Sequence, residues 1–160
     1  MLDPDPVSGQ APAREKAWKA FEKAYASFSS GRWEECESEL RKAIRFDSTF
    51  ADAYILRGDL YLETGKPGDA IDQYEYALNY KPENVEIVYN LLANTLFSLE
   101  RYPESLVYYD KLVDYPGIDP DLLSVIKIKR EITAIRKELV GNPVPLASIV
   151  PDTSVVPVSD

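Results

Sequence analysis

The chain repeats itself at a fixed interval. "GRWEECESELRKAIRFD" begins at Gly31, and "GKPGDAIDQYEYALNYKP" begins 34 residues later at Gly65. At that offset Trp33 aligns with Pro67, Cys36 with Ala70, Leu40 with Tyr74, Ala43 with Ala77 and Asp47 with Lys81. A third copy, "ERYPESLVYYDKLVDYP", starts at Glu100, offset by 35, and puts Tyr102, Ser105, Tyr109 and Leu112 in the same places. A period near 34 indicates stacked helical hairpins. The segments upstream of each copy agree: Ala24, Gly58 and Ala93 each stand seven residues before Gly31, Gly65 and Glu100. Two antiparallel helices approach closely only where the facing positions lack bulk. Each unit therefore reads as a helix A, a short turn with glycine where φ is positive, and a helix B.

Within the units the apolar residues recur at steps of three and four: Leu56, Leu60 and Tyr61, then Ala70, Ile71, Tyr74, Ala77 and Leu78. That is helical periodicity rather than strand alternation. The expectation is an all-α chain of seven helices over 15–29, 33–46, 51–64, 67–80, 86–99, 102–114 and 120–140.

The repeat decides what the single cysteine is for. Cys36 lies among Glu34, Glu35, Glu37 and Glu39, which could suggest thiol chemistry or a metal. Yet it occupies the place held by Ala70 and Ser105 in the other copies. A small residue is needed where helix B packs on helix A, and a buried thiol serves as a small hydrophobe. The glutamates fall on outward positions, where a solvated face is expected. The chain has no histidine, which removes the commonest general base and the commonest zinc ligand. No catalytic residue, metal site or cofactor is expected, and the enzyme class is set aside.

At 160 residues the chain is long enough for one domain with a real core. The net charge of −9 is unevenly placed. Residues 17–50 balance six bases against six acids, residues 51–119 carry five against thirteen, and residues 120–140 carry five against three. An acidic body with a weakly basic end lacks the footprint that phosphates need, so nucleic acid is excluded as a partner. No apolar run approaches the length of a membrane span, and the N-terminus lacks a signal-peptide pattern. One cysteine cannot make an internal disulfide and gives weak support to a reducing compartment. A cytoplasmic location is expected.

The pattern resembles the tetratricopeptide repeat (TPR) family. Residues 51–84 carry it most fully, with Tyr54, Gly58, Tyr61, Gly65, Ala70, Tyr74, Ala77 and Pro82 on the signature places. Arg57, where leucine is usual, and Pro67, where an aromatic is usual, are departures. Residues 17–50 match through Ala24, Phe28, Gly31, Trp33, Cys36, Leu40 and Ala43. Residues 85–119 match after one extra residue, through Leu92, Ala93, Leu96, Tyr102, Ser105, Tyr109 and Leu112. The resemblance implies a right-handed α-solenoid of three helical hairpins. Its limits are expected at 15–140, after a flexible leader at 1–14.

The resemblance also implies a function. TPR proteins bind peptides or protein segments in a concave groove lined by the A helices. The groove places carry over to Phe21, Glu22 and Tyr25 in the first unit, Asp52, Ile55, Leu56, Asp59 and Glu63 in the second, and Ile87, Asn90, Leu91, Asn94 and Ser98 in the third. Asn90 and Asn94 share one helical face, and their amides are suited to gripping an extended backbone. TPR co-chaperones that hold acidic heat-shock-protein C-termini place lysine, arginine and asparagine in this groove. The matching places here hold Phe21, Tyr25, Leu56, Ile87 and Leu91, with Asp59 and Glu63 nearby. The expected partner is a protein or peptide with apolar anchors and neutral or basic flanks, bound by an adaptor or chaperone, and not an acidic heat-shock-protein C-terminus. Size and acidity are also similar to those of the small three-repeat chaperones of bacterial secretion systems.

After the repeats, residues 120–140 carry an apolar stripe of Leu122, Leu123, Ile126, Ile128, Ile132, Ile135 and Leu139. Asp119 or Asp121 would start this helix and Gly141 would end it, and its role is to cap the last repeat. Residues 141–160 form a proline-rich tail with seven branched aliphatic side chains, expected to be extended. The alternative to the binding module is a self-associating scaffold, possible as a homo-oligomer, with this tail docked on its own or a neighbouring repeat body.

Overall fold

The computed structural model describes residues 10–141. Seven helices make up this part: α1 (Gln10–Ser29), α2 (Trp33–Phe46), α3 (Ala51–Glu63), α4 (Pro67–Asn79), α5 (Val85–Ser98), α6 (Tyr102–Val113) and α7 (Pro120–Gly141). There is no strand among the described residues. The bounds of α2 to α7 fall within one residue of the expected spans. The expectation for the tail after Gly141 lies outside the described residues.

The start of α1 corrects the leader placed at 1–14, because the helix begins at Gln10. Pro12 stands in the first described turn of this helix. The first four N–H groups of any helix are unpaired, so a proline there loses nothing. The same logic accounts for Pro67 and Pro103, which sit in the first turns of α4 and α6.

The three hairpin turns are built alike. Gly31 and Gly65 have φ of +68° and +73°, and Glu100 has +59° at the equivalent place. In each turn two backbone bonds close the end of helix A. Gly31 N–H donates to Phe28 and Arg32 N–H to Ser27; Gly65 donates to Leu62 and Lys66 to Tyr61; Glu100 donates to Phe97 and Arg101 to Leu96. This is the Schellman pattern, in which a left-handed residue lets two carbonyls of the last turn find donors. At the far end, Asp119 caps α7: its Oδ1 accepts from the N–H groups of Asp121 at 3.0 Å and Leu122 at 3.1 Å.

The core runs through the stack as three linked clusters. Cys36, Leu40 and Ala43 of α2 pack with Ala20 and Ala24 of α1 and with Ala53, Leu56 and Leu60 of α3. Ala70, Ile71 and Tyr74 of α4 pack with Val88, Leu92 and Leu96 of α5. Ala93, Tyr109 and Leu112 meet Ile126 of α7. The small-residue positions are real contacts. A Cβ on Gly58 would stand 2.3 Å from Cε1 of Tyr74. Cys36, Ala70 and Ser105 are all fully buried. Ser105 keeps its hydroxyl satisfied by donating to the Ala93 carbonyl at 2.8 Å.

Two of the glutamates around Cys36 depart from the solvated reading. Glu37 accepts from Arg57 Nη2 at 2.7 Å and from Nε at 3.2 Å. The pair is about four-fifths buried on both sides and ties α2 to α3. Glu39 is also largely covered and meets Lys42 at 2.6 Å. Arg57, the departure from leucine, thus exchanges an apolar contact for a forked ion pair, with its guanidinium 5.5 Å from the Tyr61 ring.

Candidate functional site

Helices α1, α3 and α5 carry the residues assigned to the groove. Their side chains fall into three groups: exposed, shared with the core, and held by internal hydrogen bonds.

Tyr25 and Ile87 are half exposed or more. Glu22, Asp52, Glu63 and Ser98 are also exposed. Phe21 is half-buried beneath an aromatic group, with its ring centroid 5.7 Å from Trp18 and 5.1 Å from Phe50. Trp18 donates its indole N–H to Glu22 at 2.9 Å. Ile55 and Leu91 pack partly against the second core cluster and stay partly open. Leu56 is a correction: it is 94% covered and belongs to the first core cluster, so it offers a ligand almost nothing. A residue one step from Ile55 on a helix is turned by about 100°, enough to move it from the open face into the stack.

The polar residues at the centre are engaged. Tyr74 donates to Asp59 Oδ1 at 2.7 Å, and Tyr109 donates to Asn94 Oδ1 at 2.9 Å. These are the same pair, one repeat apart: a B-helix tyrosine crosses to an acceptor on the A helix. In the first unit the pair is replaced by Leu40 and Tyr25, which leaves Tyr25 free to face outward. Burial holds the Asp59 carboxyl above its ordinary range, against the opposing pull of the tyrosine bond, and Glu63 adds to the rise. The Tyr74 phenol is pushed far up by burial and by the carboxylate it contacts.

Asn94 is more occupied still. Its Nδ2 donates to Asn90 O at 2.7 Å and to Asn90 Oδ1 at 2.9 Å, while its Oδ1 takes the Tyr109 bond and a further one from Lys129 Nζ at 3.0 Å. The reading of Asn90 and Asn94 as two free amides is therefore corrected. Asn94 is a structural junction of α5, α6 and α7, and the amide nitrogen of Asn90 is what remains to offer.

Three residues extend the site beyond the sequence reading. Trp18 is half exposed beside Phe21 and lines a cleft of about 470 Å³ with Phe50, Asp52, Tyr80 and Glu83. Burial and the neighbouring Glu83 raise the carboxyl of Asp52. At the other end, Lys129 and Ile132 of α7 line a smaller recess of about 260 Å³ with Asn94, Phe97 and Tyr109. Trp18 stands 34 residues before Asp52, and Lys129 stands 35 after Asn94. Extending the period to the helix after the third hairpin would have found the lysine.

Catalytic chemistry finds no support in the thiol. Cys36 is fully buried, and burial with the nearby Glu37 pushes it up to about 11, so it stays protonated near neutral pH. Among the described residues, no helix is long and apolar enough to cross a membrane.

A family model described as "Tetratricopeptide repeat" matches residues 51–84. Solved structures similar to this chain include the Arabidopsis OM64 TPR domain, at 18% identity and a TM-score of 0.65, covering 77% of this chain and 98% of that one. The Yersinia enterocolitica type III secretion translocator chaperone SycD is similar at 15% identity and a TM-score of 0.66, over 78% and 87% of the two chains. The first TPR of Spaghetti (RPAP3), solved bound to the HSP90 peptide SRMEEVD, is similar at 16% identity and a TM-score of 0.65, over 76% and 98%. Curated protein sequences give no match.

Proposed function

We propose that this chain, which has the fold of tetratricopeptide-repeat domains and carries a matched repeat at its centre, is a protein-interaction module. It holds a peptide or protein segment on the concave face of α1, α3 and α5. The observation that carries the reading is the combination of open apolar side chains with an acidic surround. Trp18, Tyr25 and Ile87 each expose about half of their surface, and Glu22, Asp52 and Glu63 stand among them. Exposed aromatic surface rimmed by polar groups marks an interaction site more often than a bare solvent face. The ligand this suits has apolar anchors and neutral or basic flanks.

The similar structure bound to SRMEEVD holds an acidic peptide. At the places that would supply cations for such a ligand this chain has Phe21, Tyr25, Leu56, Ile87 and Leu91. Arg14 and Lys81 line the Trp18 cleft beside Asp52 and Glu83, and Lys129, at the other end, already donates to Asn94. With carboxylates on the rim, an acidic ligand meets repulsion that a basic one does not.

Selection from a displayed peptide library tests the reading. Peptides with apolar residues and lysine or arginine should be enriched, and Tyr25→Glu or Ile87→Glu should weaken their binding at least tenfold. Enriched peptides rich in acid, or binding indifferent to both substitutions, would overturn it.

A further inference from the structure

Among the described residues, the longest helix leaves an apolar face uncovered. α7 has 22 residues against 12 in α6, on which it packs, so at 1.5 Å per residue it outruns its neighbour by about 15 Å. Only Ile126 and Thr133 of α7 are buried. Val125, Ile128, Ile132, Ile135 and Leu139 each expose about half of their surface or more. Their spacing is 3, 4, 3, 4, a period of 3.5 rather than 3.6, and places Val125, Ile132 and Leu139 at a and Ile128 and Ile135 at d of a heptad. At 100° per residue the centre of this seam lies about 130° from the line through Ile126 and Thr133, so most of it points away from the repeat body, and Ile132 at its edge also borders the recess formed with Asn94, Phe97 and Tyr109.

We propose that this seam is a dimer contact, in which α7 lies parallel to α7 of a second copy of the chain. Charge selects both the partner and the direction. Lys129 and Arg136 fall at e, and Glu131 and Glu138 fall at g. In a parallel pair each g residue faces the e residue of the next heptad across the seam, which sets Glu131 against Arg136 of the second copy, twice by symmetry. An antiparallel pair sets Glu131 against Glu138 and Lys129 against Arg136, which are like charges. Arg136 has no ion pair among the described residues, and Glu131 meets only its neighbour Arg130, at 3.2 Å. Isoleucine at d favours three or more strands in free coiled coils, but each α7 carries its own repeat body along one side, which leaves room for one partner helix. The seam spans about two heptads, too short for isolated helices to form and pair. Here the helix is already held by α6, so association does not also carry the cost of forming it. The dimer should be weak and concentration-dependent.

Sedimentation equilibrium of the full chain over a wide concentration range tests this. The mass should rise from 18.1 kDa toward twice that value, and the exposed-site variant Ile128→Lys should abolish the rise without lowering the melting temperature. In a parallel pair equivalent a positions face each other, so Ile132→Cys should link to itself on mild oxidation, while Lys137→Cys, turned away from the seam, should not. The native Cys36 is buried and does not compete. Glu131→Arg should weaken the dimer severalfold, and adding Arg136→Glu should restore it. A chain that stays monomeric throughout, or Ile132→Cys that links no faster than Lys137→Cys, would overturn the proposal. So would a dimer strengthened by Glu131→Arg, as the antiparallel pair requires. Protection of α7 that vanishes on deleting residues 142–160, with the mass constant, would identify the chain's own tail as the occupant and overturn it equally.

Discussion

Gly58 and Tyr74 show how tightly a single residue is specified. The tyrosine ring lies where a Cβ would be, and it is held there by its bond to Asp59, the residue next to the glycine. Gly58→Ala should therefore force the ring or the helix to shift and cost about 1–3 kcal/mol, with Gly58→Leu costing more. Chemical denaturation measures this, and an unchanged midpoint in Gly58→Ala would mean that the helices do not meet there. Asp59 carries a different prediction. Its folded-state carboxyl is raised above the ordinary value, so the folded chain binds its proton more readily than the unfolded chain does. Stability from this residue is greatest below the unfolded value of about 4 and is lost as pH rises through the folded value. Asn94 shows that an amide can accept the same tyrosine bond. Asp59→Asn should thus match or exceed the wild type in melting temperature at neutral pH, and the difference should shrink as pH falls toward 4. A variant less stable at neutral pH would mean that the charged hydrogen bond outweighs the burial of the charge.

At the scale of the element, the turns carry the clearest difference among the three units. Glu100 holds a left-handed conformation that Gly31 and Gly65 hold in the other two. A side chain with a Cβ costs roughly 1–2 kcal/mol in that region, so Glu100→Gly should stabilise the chain by about 0.5–1 kcal/mol after the added freedom of the unfolded glycine is counted. Thermal unfolding reads this directly, and a loss of stability would contradict the turn geometry. Helices were legible in the sequence because the period, the small residues and the turn glycines all repeat and each is local. What was not legible depended on partners far along the chain. Glu37 reads as solvated until Arg57, 20 residues away, is placed beside it. The amide of Asn94 reads as free until Lys129, 35 residues on, is brought to it. Leu56 reads as a groove residue because its place was carried over from a resemblance, and burial then assigns it to the core. The start of α1 was missed because the repeat that located the other helices begins at residue 17 and says nothing of the residues before it.

For the whole molecule, the charge distribution along the stack is the feature that function would use. Glu22 of the charge-balanced first unit and Asp52 and Glu63 of the acidic middle are exposed on the helices that carry the open aromatic and aliphatic side chains. The cations of the C-terminal helix stand at the other end, where Lys129 and Arg130 are tied to Asn94 and Asp110. Fold alone does not set the sign of the ligand, since a similar structure is bound to an acidic peptide; the side chains on α1, α3 and α5 must do so. The most direct test is a calorimetric titration with two peptides of the same length and apolar residues, SRMEEVD and a version with both glutamates replaced by lysine, at low and high salt. The account predicts that the basic version binds more tightly, and that its advantage shrinks as the screening length falls to about 3 Å at 1 M salt. Tighter binding of SRMEEVD, or a preference that salt leaves unchanged, would contradict it.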